Sequence, residues 1–210
     1  IRGPGGSLWG ANAVNGVINI ITYSAKDTQG GLLSVAAGDE VRDIGLARYG
    51  WALDSETHLR LHAQAKSIDP GQAVAGGDGP DSWKTQQAGF RLDATRGGDK
   101  LSLQGNISDY RAGDRIATIT AAPPYATLLN TDGKGNTANL QGRWERQTAT
   151  GSHSLQAFID HNDTDLGPAR YRNDTFDLEY QQQITGDKHD LVWGLGYRTS
   201  KDQIDATAYT

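Results

Sequence analysis

His58 and His62 lie in the segment Thr57–Lys66 and are the first residues to suggest a metal. The segment alternates apolar and polar residues, as a strand does. On a strand the two imidazoles share a face but sit about 13 Å apart, at about 3.3 Å per residue. One ion does not take both as neighbours, and solvated histidines on a polar face account for them. Asp160-His161-Asn162-Asp163-Thr164-Asp165 gathers the oxygen donors that calcium uses, without the glycine and terminal glutamate of an EF-hand loop. A solvent-facing loop is the simpler reading. Gly3-Pro4-Gly5-Gly6-Ser7 lacks the lysine and the preceding strand of a phosphate-cradling loop, and reads as a tight turn. Asp81, Ser152 and His153 form no nucleophile, base and orienter set. The chain therefore reads as no enzyme, with no cofactor and no metal site. The recognition candidates are Trp83, Tyr110, Arg111, Arg115 and Tyr125, beside the stiff pair Pro123-Pro124. Loops on a rigid scaffold commonly carry recognition, and aromatics with arginines suit a ring-bearing or anionic chelate.

The elements that must position these residues are strands. In Thr57–Lys66, Thr57, Leu59, Leu61, Ala63 and Ala65 share one face, and His58, Arg60, His62, Gln64 and Lys66 the other. The same period of two runs through Gln87–Ala94, Leu101–Ser108, Ala138–Glu145, Phe176–Gln181 and Leu191–Tyr197. Weaker copies lie at Gly31–Ala37, Ile44–Leu53 and Ser154–Asp160. The count is nine strands, most of them expected to run 9–15 residues. Membrane-barrel strands need about 9–11 residues, against about 5–6 for globular ones.

Short turns are expected at Asp54-Ser55, Gly97-Gly98-Asp99, Thr150-Gly151-Ser152 and Gly186-Asp187-Lys188. Gly and Asp supply the positive φ of tight hairpins. The alternate connections read as longer polar loops, at 39–42, 69–81, 111–134 and 163–170. Short on one side and long on the other is the pattern of an outer-membrane barrel. Trp51, Trp144, Tyr180 and Trp193 all fall on apolar faces close to short turns, which suggests an interfacial girdle at one depth.

Composition agrees. The 210 residues carry 27 glycines, no cysteine, 36% hydrophobic residues and a net charge of -5. A thiolate site and a disulfide framework are excluded. No basic stripe points to nucleic acid. No stretch reaches the roughly 20 apolar residues of a membrane helix, which leaves a membrane barrel open, since its strands are apolar only at alternate positions. The chain starts at Ile1 and contains no methionine, so an internal fragment is expected.

The N-terminal segment carries a longer pattern. Arg2, Gly3, Pro4, Ser7, Leu8, Gly10, Ala13, Gly16, Val17, Ile18, Asn19, Ile20 and Thr22 match the end of the plug domain in TonB-dependent outer-membrane receptors. Trp9 stands where that family has tyrosine, and Asn15 replaces the first glycine of a pair. The chain thus resembles the end of a plug, over 1–26, followed by the first part of the barrel, over 27–210.

The resemblance implies an all-β fold: a partial antiparallel transmembrane β-barrel of about nine strands, an open curved meander, preceded by the plug's C-terminal piece. It implies residence in a bacterial outer membrane, contact with outer-membrane lipid, and coupling to a TonB-type energy-transducing complex through a segment upstream. The ligand it implies is a scarce nutrient, most often a ferric siderophore or other metal chelate. It also implies that Arg2 helps lock plug to barrel, for which Glu145, Glu179 and Asp177 are candidate partners on the polar faces. Two other readings remain at this point. A passive porin-like barrel has the same strands but gives the N-terminal motif no role. A soluble β-rich adhesin or binding module would bury its apolar faces against a second sheet.

Overall fold

The computed structural model describes residues 21–74, 76–119 and 121–206. A single 3-10 turn, Lys26–Thr28, is followed by nine strands: β1 (Gly30–Ala37), β2 (Asp43–Ala52), β3 (Thr57–Ile68), β4 (Trp83–Arg96), β5 (Asp99–Ile119), β6 (Ala126–Thr148), β7 (Gly151–Asp165), β8 (Ala169–Thr185) and β9 (Asp190–Ala206). Each pairs antiparallel with the next in one open sheet, ordered β1 to β9. The nine strands expected from alternation are the nine observed, and the architecture is consistent with part of a β-barrel.

The register sets most apolar side chains on one face and most polar ones on the other. Trp51 opposes Leu59 and Leu59 opposes Leu92. Ala88 opposes Ile107, which opposes Ala138. Leu155 opposes Tyr180, and Tyr180 opposes Leu195. Because the side-chain period is two, a slip of one residue would turn every apolar side chain to the polar face. The apolar face has no cover: Leu33 is 77% exposed and Leu195 70% exposed. Ala25 is the one fully buried apolar residue among the described ones. In water so large an apolar surface would drive association.

The polar face holds itself together by amide and hydroxyl pairs directly across strands. Gln87 donates to Gln64 at 2.7 Å and Gln104 to Gln141 at 2.8 Å. Ser108 meets Thr137 and Thr175 meets Ser200, both at 2.8 Å. Such opposed pairs contribute about 0.2–1 kcal/mol each.

Two expectations about the connections need correction. The segments 111–134 and 163–170 are not long loops. Pairing continues from Arg111↔Lys134 out to Ile119↔Ala126, with the described residues 121–125 in the turn between the strands. Likewise Asp165 pairs Arg170 directly. Strands β5 and β6 therefore reach 21 and 23 residues, beyond the 9–15 expected. Polarity was read as loop, but a polar hairpin ladder is stable once a neighbouring strand templates it. What distinguishes the two ends is polar strand extension at one and tight turns at the other. In the β4–β5 turn, Gly97 and Gly98 take φ of 57° and 91°, the left-handed pair that a two-residue hairpin demands.

Candidate functional site

The described residues ahead of β1 lie against the polar face of β2–β4. The register aligns Gly50 with Arg60 and Arg60 with Arg91, placing two arginines side by side near the tight-turn end. Their repulsion is relieved by carboxylate and carbonyl oxygens. Arg91 Nε donates to both oxygens of Asp93, at 2.9 and 3.1 Å. The Ala25 amide donates to Asp93 Oδ2 at 2.6 Å. Arg91 Nη1 reaches Thr22 Oγ1 at 2.8 Å, and Arg60 Nη1 reaches the Tyr23 carbonyl at 3.0 Å. Arg60 also touches Thr28 Oγ1 at 3.4 Å. Gly50 makes room for this: a Cβ there would collide with the Thr28 carbonyl. The result is a clamp in which charged side chains of β3 and β4 grip the backbone of 22–28.

The sequence reading missed this clamp. Arg60, Arg91 and Asp93 were visible on polar faces, but only the register shows that they converge. The resemblance pointed instead to Arg2, which lies outside the described residues. Of its candidate partners, Glu145 is engaged by Arg143, whose Nε and Nη2 lie 2.8 and 2.6 Å away. Asp177 accepts from Arg198 Nε at 2.7 Å. Glu179 makes no ion pair among the described residues and borders, with Asp177 and Gln181, an open hollow of about 810 Å³.

The five recognition candidates are divided by the pleat. Trp83, the first residue of β4, and Tyr110 on β5 are on the polar face. Lys66 Nζ lies 4.8 Å from the Trp83 ring centroid, and the Tyr110 hydroxyl donates to Thr164 Oγ1 at 3.1 Å. Arg111 and Arg115 have the opposite parity and share the apolar side's direction; Arg115 Nε donates to Asn130 Oδ1 at 3.0 Å. Tyr125 sits in the β5–β6 turn, with φ of 63°, next to a cis Pro123–Pro124 bond. Trp83 and Tyr110 thus share one face and Arg111 and Arg115 the other, and the expectation that these four residues lie in loops is corrected. The same polar end adds Tyr171 and Asn173, which donate to Asp202 Oδ1 at 2.8 and 2.6 Å.

The two metal ideas end here. Residues 160–165 form part of β7 and alternate between faces, so their oxygens diverge. No group of three or more His, Cys, Asp or Glu side chains placed to hold a metal occurs among the described residues.

At the tight-turn end of the apolar face, the aromatics cluster as the girdle reading expects. Tyr49 and Trp51 lie 5.8 Å apart, and Tyr180 and Trp193 5.5 Å. Two aromatics at this end have a polar handle: Trp144 Nε1 donates to Asp99 at 3.1 Å, and His153 Nδ1 meets the Tyr180 hydroxyl at 2.8 Å. Asp99 is also held by Arg146. An apolar ring with a wet polar tip suits a boundary between oil and water.

An antiparallel meander, apolar on one face and polar on the other with an N-terminal segment clamped to the polar face, is the class of structure defined here. Over 42 residues, 20% of its length, the chain is 45% identical to the vitamin B12 transporter BtuB of Vibrio vulnificus (strain CMCP6). That stretch is 7% of the transporter's own length. BtuB is a TonB-dependent receptor, the family resembled by the N-terminal motif. No protein-family model and no solved structure matches the chain.

Proposed function

We propose that this chain is part of an energy-coupled outer-membrane receptor that takes up a scarce metal chelate. The clamp of Arg60, Arg91 and Asp93 on residues 22–28 carries the reading. A passive pore has no use for a segment anchored to the inside of its wall, whereas a plugged transporter must attach plug to barrel. The uncovered apolar face faces lipid, the aromatic cluster marks the periplasmic interface, and the polar strand extensions rise outside the cell. Transport makes and breaks no covalent bond, so no catalytic group is needed.

The ligand sits outside, above the polar face, where Trp83 and Tyr110 supply rings and Tyr125 tops the β5–β6 hairpin. The named relative transports vitamin B12, so corrinoids stand beside ferric siderophores as the substrates to test. The locking role that the resemblance gives Arg2 calls for a carboxylate on the polar face, and Glu179 makes no ion pair among the described residues. Energy comes from a TonB-type complex at the inner membrane.

Cells producing the intact protein, in a background without other receptors, are given radiolabelled cyanocobalamin or ferric siderophores. The reading expects saturable uptake of one class that a protonophore abolishes. Uptake that rises linearly with concentration and ignores the protonophore would overturn it and favour a passive porin.

A further inference from the structure

Tyr110 on β5, Gly135 on β6, Thr164 on β7 and Tyr171 on β8 stand in one register row on the polar face. Gly135 has no side chain, and the Tyr110 ring lies over it: a Cβ there would stand 2.5 Å from Tyr110 Cε1. The ring is tied down by its hydroxyl, which reaches across β6 to Thr164, and Thr164 Oγ1 donates in turn to Asn162 Oδ1 at 3.1 Å. One ring face covers the β6 backbone and the other is left to the lumen. Tyr171 is tied the opposite way, to Asp202 on β9, and Asn173, which shares that carboxylate, accepts from Thr175 Oγ1 at 3.2 Å. The two tyrosines stand three strand spacings apart, about 14 Å. Rings fixed before a ligand arrives lose little freedom when it binds.

The charge around this row has one sign. Gly89, Asn106, Asn139, Asp160, Thr175 and Ser200 form a second row, nearer the membrane. From there outward, the polar face of β4–β9 carries three carboxylates, Asp114, Asp160 and Asp202, and no cation among the described residues. Further round the wall are Lys66, held over the Trp83 ring, and Arg48 on β2. They do not outnumber the carboxylates, and the β3–β4 loop adds Asp78 and Asp81 without a cation. Arg111 and Arg115, which alone in the recognition set suit an anion, point the other way. Asp160 is half-buried and makes no hydrogen bond or ion pair among the described residues. It lies about 13 Å along β7 from Thr164, within the span of one chelate-sized ligand.

We infer that this row is a subsite for an electroneutral chelate. Tyr110 stacks on a flat or C–H-rich ring face of the ligand, which its electron-rich face attracts, and Asp160 accepts from an amide or hydroxyl on the ligand's rim. A polyanionic chelate is rejected, because the wall repels it and offers it no cation. The inference rests on the chelate uptake proposed above and names the charge class of the chelate.

The intact protein in detergent micelles is titrated calorimetrically with cyanocobalamin and a ferric trihydroxamate, both electroneutral, and with a polyanionic ferric tris-catecholate. An electroneutral chelate should bind, and the tris-catecholate about a hundredfold more weakly. Tyr110→Ala should weaken the electroneutral binding by about tenfold, whereas Tyr110→Phe, which keeps a ring over Gly135, should cost far less. Asp160→Asn should also weaken it, by about tenfold, and Asp160→Lys should raise the affinity for the tris-catecholate. Tris-catecholate binding as tight as that of the electroneutral chelates overturns the charge class and leaves chelate uptake standing. Unchanged binding by Tyr110→Ala, with sheet content intact by circular dichroism, overturns the ring subsite. Binding of none of these chelates overturns the receptor reading and the subsite together.

Discussion

Asp93 is the residue on which the inner attachment turns. Its carboxylate accepts from Arg91 and from the buried Ala25 amide at once. Asp93→Ala leaves both donors without that partner and should weaken the attachment by about 1–3 kcal/mol. Hydrogen exchange of the Ala25 amide is the readout: it should accelerate sharply while β7–β9 amides keep their rates. Unchanged exchange at Ala25 would remove the clamp from the account. At the other side of the sheet, in the β2–β3 turn, the Glu56 amide donates to Asp54 Oδ1 at 2.8 Å and Arg96 Nη2 to Oδ2 at 2.8 Å. These, the backbone donor first, hold the Asp54 carboxyl below its usual range. A carboxyl lowered by folding stabilises above its unfolded pKa, and that contribution is lost as pH falls through the folded value. Protection of the β2–β3 turn amides should therefore fade in strong acid, and Asp54→Asn should remove that acid dependence. Single residues were only partly legible in the sequence. The polar-face position of Arg60, Arg91 and Asp93 followed from alternation. Their meeting did not, because alternation fixes a face and leaves the register open.

At the scale of elements, glycines hold open the close approach of connecting segments to the strands, and two of them can be tested separately. Gly50 admits the Thr28 carbonyl against β2, and Gly113 admits the Pro80 carbonyl against β5. The Gly113 amide also donates to the Ser82 carbonyl at 2.8 Å, so the β3–β4 loop lies down on the β5 extension. Gly50→Val should release residues 22–28 without unfolding the sheet, and Gly113→Val should free the loop at 69–82. Limited proteolysis distinguishes them, with new cleavage near 22–28 for the first and within 69–82 for the second. Cleavage spread over all strands in either variant would mean that the sheet itself depends on these contacts. The strands and their faces were readable because period-two alternation is a strong signal over ten or more residues. The β5–β6 extension was not readable. From Arg111 to Lys134 polar and small residues predominate, the few large apolar ones such as Ile116, Ile119, Leu128 and Leu129 do not keep to one face, and the strand state comes from pairing of the two strands with each other.

The described sheet has one uncovered apolar face and one polar face, and the proposed reading sets the apolar face against lipid. A cation in the middle of the apolar face therefore has a defined cost. Ala63→Arg should destabilise the membrane-inserted protein by about 2–4 kcal/mol, whereas Gln64→Arg, one residue on and facing inward, should cost little. Urea titration in lipid vesicles measures both, and equal costs would contradict the assignment of faces. The placement of Trp51, Trp144, Tyr180 and Trp193 on the apolar face near the tight turns was legible from the sequence because aromatic position, face and turn coincided. Strand β1 on one side and β9 on the other each have a neighbour on one edge only, so closure must come from strands or chains other than these nine. The most direct test of the account uses the intact protein in a planar bilayer, with chelate binding and single-channel conductance recorded on the same preparation. The account predicts tight chelate binding to a pore that stays closed. A steadily conducting pore that binds no chelate would contradict it.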